Sequence, residues 1–74
     1  MSQLVRMDSS GHTTLAEWHV DDPASVEAAV AALHEELDQG YFAVVPRGEG
    51  QAEQVRELPL DAPLVILRRP IAGG

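Results

Sequence analysis

The sequence predicts an α+β domain in which one helix packs on a mixed sheet of four to five strands. Three observations lead there. A single apolar stripe at helical spacing runs from Val26 to Leu37 between Asp22-Pro23 and Gly40. Short segments of alternating or β-branched residues lie on both sides of it. The last apolar run, Leu64 to Leu67, is too short for a helix and ends in two arginines and a proline. One helix stripe has only the sheet to pack against, which places these elements in one two-layer unit.

Leu4 to Met7 reads as a first strand, with Leu4 and Arg6 on one side and Val5 and Met7 on the other. Asp8-Ser9-Ser10-Gly11 supplies turn chemistry, and Thr13 to Val20 reads as the second strand of a hairpin. Strict alternation would put Thr14, Ala16, Trp18 and Val20 on one face and Thr13, Leu15, Glu17 and His19 on the other. Trp18 is the expected anchor of the inner face. Asp22 suits an N-cap, Pro23 the first helical position, and Gly40 the end of the helix. The expected buried stripe is Val26, Val30, Leu33 and Leu37, with Glu27, His34, Glu35 and Asp38 facing water.

Tyr41 to Val45 has strand composition. Pro46 is expected to close it, and Arg47 to Gln51 to form a flexible loop. Gln54 to Leu58 is a candidate short strand, and Leu60 to Pro63 turns the chain into the last strand, Leu64 to Arg68. Its continuous apolar run predicts burial on both faces and a central place in the sheet, beside the first strand. Residues 1–69 read as one body and 70–74 as a flexible tail.

The chain has 74 residues, no cysteine and a formal net charge of −7. That excludes a disulfide framework, a thiolate metal site and a cysteine nucleophile. The acidic balance disfavours nucleic acid and anionic membranes as partners and suits a basic surface on another protein. No signal-like or membrane-spanning run is present, so a cytoplasmic protein is expected. All five basic residues are arginine, which leaves the N-terminus as the sole amine.

Strand, strand, helix, strand, short strand, strand, with the last strand beside the first, is a β-grasp. This order, together with Gly73-Gly74 after Pro70-Ile71-Ala72, resembles the ubiquitin-like β-grasp proteins, bacterial sulfur carriers above all. Those are the small subunit of molybdopterin synthase and the thiamine-pathway carrier. Arg68 and Arg69 are closer in character to ubiquitin's arginine-bearing last strand. The motif covers the last eleven residues, and the topology covers the chain loosely. The stretch from Trp18 to Pro46 aligns with no sulfur carrier, and arginines stand where many carriers have apolar residues.

The resemblance implies a non-catalytic carrier without a cofactor of its own. Its Gly74 carboxylate would be activated by an ATP-dependent adenylating enzyme. The activated end would then pass to a sulfur-accepting synthase or to target proteins. Glycine at 73 and 74 suits passage through a narrow channel, and five residues from Pro70 reach at most about 16–18 Å. Arg68, Arg69, Pro70, Ile71 and Ala72 are the expected partner contacts. The competing expectation is a non-covalent interaction module, an accessory or phage-derived structural protein whose sheet surface binds and whose tail is dispensable. His12, His19 and His34 lack metal-ligand spacing, and Asp21-Asp22 is accounted for by capping.

Overall fold

The computed structural model describes residues 1–8 and 11–69. Five strands and one helix follow in the order β1 (Ser2–Asp8), β2 (Gly11–Trp18), α1 (Pro23–Asp38), β3 (Phe42–Gly48), β4 (Gln51–Val55) and β5 (Leu64–Arg68). The sheet order is β2-β1-β5-β3-β4. β1 and β5 are parallel, and the other neighbours are antiparallel. This is the α+β arrangement of a β-grasp, with β5 in the centre beside β1.

The core lies between α1 and one face of the sheet. It is built from Leu4, Trp18, Ala29, Leu33, Ala43, Val45, Ala62, Val65 and Leu67. Trp18 is 1% exposed, and its indole N–H donates to the Leu60 carbonyl at 3.3 Å. The largest core side chain thereby ties the end of β2 to the connection before β5.

Several strand expectations need correction. β2 ends at Trp18, and Val20 is exposed rather than inward. Leu4 pairs with Ala16 but Val5 pairs with Thr14, so Leu15 is an extra residue in β2. This bulge reverses the alternation. Ala16 and Leu15 both pack against the core, while Thr14 joins His12 and Val5 on the opposite face. β5 is buried on one face only: Val65 and Leu67 are fully enclosed, Leu64 and Ile66 half-exposed. A chain with one helix covers one side of its sheet.

Pro46 does not close β3, which continues to Gly48. Beyond Val44 this strand pairs with β4 alone, the one-sided setting in which a residue without an N–H is tolerated. The expected flexible loop is a hairpin turn instead, with Gly48 opposite Gln51 and positive φ at Gly48 and Gly50. β4 therefore lies earlier than Gln54 to Leu58.

The helix has the expected ends by different means. Pro23 opens it, but Asp22 makes no side-chain cap bond. Ser25 Oγ accepts from the His19 N–H at 3.0 Å and donates to the Asp22 carbonyl at 2.8 Å, closing the corner. At the other end Gln39 is the C-cap, and Gly40 follows at φ 98°. The Gly40 N–H donates to Leu37 and the Tyr41 N–H to Glu36, which is a Schellman closure. The centre of the buried stripe is Ala29, Leu33 and Glu36, flanked by Val26, Ala32 and Leu37. The buried line follows the i, i+4, i+7 phase from Ala29, and Val30, one residue round the helix from it, sits at the margin.

Two substitutions test this packing by urea unfolding. Leu33→Ala removes a fully enclosed side chain and should cost about 2–5 kcal/mol. Gly40→Ala should cost roughly 1–2 kcal/mol through backbone conformation alone, since a Cβ there meets nothing within 4 Å.

Candidate functional site

The C-terminal end of β5 is where chemistry-bearing side chains gather. Arg68 pairs in register with Phe42, and Arg69 is the first residue beyond the strand. Both are exposed. Successive residues leave an extended chain in opposite directions. Arg68 accordingly borders the uncovered face near Phe42 and Ile66, and the Arg69 guanidinium lies 5.6 Å from the centre of the Tyr41 ring. The two arginines, Tyr41, Met7 and Asp8 enclose a shallow hollow of about 550 Å³.

Tyr41 has a second cation near it. Arg6, from the inner side of β1, places its guanidinium 5.7 Å from the same ring. Its Nη1 also donates to Glu36 Oε1 at 2.9 Å. Glu36 is 6% exposed and projects from the buried stripe of α1. The hydrogen bond from Arg6 to Glu36, reinforced by that carboxylate's charge, holds the guanidinium above its ordinary pKa. Charge neutralisation and hydrogen bonding together make burial of Glu36 tolerable. A second ion pair, Arg47 with Glu53 at 2.9 Å, lies exposed on the β3–β4 hairpin and contributes little by comparison.

Pro70, Ile71, Ala72, Gly73 and Gly74 lie outside the described residues, as do Ser9 and Ser10 of the β1–β2 turn. The expected activation site and three of the five expected partner contacts are therefore not located. Arg68 and Arg69 sit together at the rim of the hollow, one on each side of the strand. The Arg6–Glu36 pair and the Tyr41 platform were not singled out from sequence. A signal for the pair existed: Arg6 shares the inner face of β1 with Leu4, and Glu36 follows Leu33 by three residues on α1. Opposite charges on two faces that must pack together are a pairing signal.

The uncovered side of the sheet is the other notable surface. Two shallow grooves of about 290 and 370 Å³ meet at Ile66, bordered by Val5, Leu64, Phe42 and Val44. None of their lining residues is acidic, in a chain that carries twelve Asp and Glu. Among the described residues, no group of three His, Asp or Glu has the arrangement to hold a metal ion. No helix among them is long and apolar enough to cross a membrane.

No family model matches the chain, and neither a curated protein nor a solved structure matches it significantly.

The ion pair makes a distinctive prediction. Arg6→Met leaves the Glu36 carboxylate enclosed without its partner, and should lower the urea midpoint. Replacing both residues in Arg6→Met/Glu36→Leu should restore much of that loss, because no buried charge then remains. A double variant less stable than Arg6→Met alone would contradict this account.

Proposed function

We propose that this chain is a ubiquitin-like carrier whose Gly74 carboxylate is activated by an ATP-dependent adenylating enzyme. The observation that supports it is the placement of β5. This strand is paired on both sides and ends at exposed Arg68, followed by exposed Arg69 and then Pro70-Ile71-Ala72-Gly73-Gly74 in sequence. A body anchored in this way would hold a tail root in a fixed place while the following residues enter a neighbouring active site.

The chemistry belongs to the partner. A carboxylate oxygen of Gly74 attacks the α-phosphorus of ATP, and pyrophosphate leaves. A sulfur nucleophile then attacks the carbonyl carbon of the acyl-adenylate and AMP departs. A persulfide donor, once its sulfur–sulfur bond is cleaved reductively by a second thiol, leaves a thiocarboxylate for a sulfur-accepting synthase. A thiol gives a thioester, whose transfer to an amine would modify a target protein. No residue of this chain is assigned a catalytic role, and a cytoplasmic setting with ATP suits the scheme.

A second reading is favoured by a specific observation, the acid-free grooves on the uncovered face. A non-covalent interaction module would use that surface and would not need the tail.

Intact-mass measurement after incubation with ATP and host extract separates the two. A carrier should gain sulfur in place of oxygen at its terminus, or become attached to other proteins through Gly74. A form lacking Gly73-Gly74 should do neither while folding normally. An unchanged mass in the presence of a competent activating enzyme would remove the carrier reading and leave the module.

A further inference from the structure

Tyr41 faces both the fixed body, through Arg6, and the end of β5, through Arg69. Its backbone N–H donates to the Glu36 carbonyl at 3.1 Å, so the ring grows from the closed end of α1. The same Glu36 holds Arg6 through its carboxylate, and Arg6 lies against the ring. One neighbour of the aromatic face is thus immobilised by a buried partner. The other is Arg69, an exposed residue beyond the last hydrogen-bonded position of β5.

Residue 69 is constrained from three directions. The register of Arg68 opposite Phe42 fixes the backbone before it. The proline at 70 disfavours helical backbone at 69 and keeps it extended. The Tyr41 ring supplies the third constraint through the attraction between a guanidinium and an aromatic face. We propose that Tyr41 is a positioning residue for the C-terminal segment: by holding Arg69 it sets the direction in which the chain leaves β5. The proposal rests on the carrier reading for its purpose, since a tail that enters another protein's channel gains from leaving the body along one line.

An exposed contact of this type favours the stacked arrangement about two- to five-fold. Arginine suits it better than lysine, whose ammonium cannot lie flat on a ring.

The test uses the full chain, labelled for magnetic resonance, with Tyr41→Phe, Tyr41→Leu and Arg69→Gln variants. Wild type and Tyr41→Phe should show Arg69 side-chain signals displaced by the ring current, with an ordered Arg69 amide. In Tyr41→Leu the displacement should vanish and the order of the Arg69 amide should fall, while the Val65 and Leu67 amides stay unchanged. An Arg69 amide equally ordered in Tyr41→Leu overturns the proposal. If Tyr41→Leu does not fold, Arg69→Gln decides, because residue 69 is exposed. Tyr41 ring signals unmoved by that change would refute the contact.

In host extract with ATP, activation of Tyr41→Leu should slow about two- to five-fold and recover in Tyr41→Phe. Activation equal to wild type in Tyr41→Leu counts against a positioning role. Failure of wild type to be activated at all would strike the carrier reading, while the resonance result still decides whether Tyr41 holds Arg69.

Discussion

One sixteen-residue helix has to cover a five-stranded sheet, and the rest of the molecule follows from that shortage. The side of the sheet under α1 is closed by Leu4, Val45, Val65 and Leu67 together with Trp18 and Leu33. The other side keeps Ile66, Leu64 and Val44 only partly enclosed. A small domain buries a limited fraction of its surface, and here that limit appears as a sheet face that no helix among the described residues covers. The bulge at Leu15 belongs to the same economy of apolar residues. It turns Leu15 toward the core and hands the outward place to Thr14.

Electrostatics divide the molecule along similar lines. Acidic residues concentrate on α1, its approach and the connections, while the uncovered grooves carry none. Glu36 is the exception that crosses into the interior, and it is neutralised there by Arg6. Arg6 in turn lies against Tyr41, and Tyr41 meets Arg69. A chain of contacts therefore runs from the buried face of the helix to the exposed end of the central strand. Each link is modest, yet the helix cap, the ion pair and the ring depend on one residue, Glu36.

The fold was legible in the sequence wherever a signal was strong and local. The helix limits at Pro23 and Gly40, the anchoring role of Trp18 and the extent of β5 from Leu64 to Arg68 all appear as the residues suggest. Misreadings came where a neighbouring strand decided the outcome. Pro46 looks like a stop, but one-sided pairing accommodates it. Gly48 and Gly50 look like a loose loop, but their positive φ makes a tight hairpin. The Leu15 bulge leaves no mark in an alternating pattern. Of the candidate site, Arg68 and Arg69 were visible as charges. The role of Tyr41 was not, because a tyrosine at a strand start reads as ordinary packing.

The parallel pairing of Leu4 with Val65 joins the first strand to the last. Until β5 has been made, β1 lacks its inner neighbour and β3 lacks the strand that links it to the hairpin. Such long-range parallel pairing is intrinsically slow to form. On a ribosome, the sheet cannot be completed from the N-terminal part alone. Arg68 and Arg69 consequently take their places only when the sheet is complete. A copy in which β5 has not closed between β1 and β3 therefore lacks both the paired strand and the surface around Arg68 and Arg69.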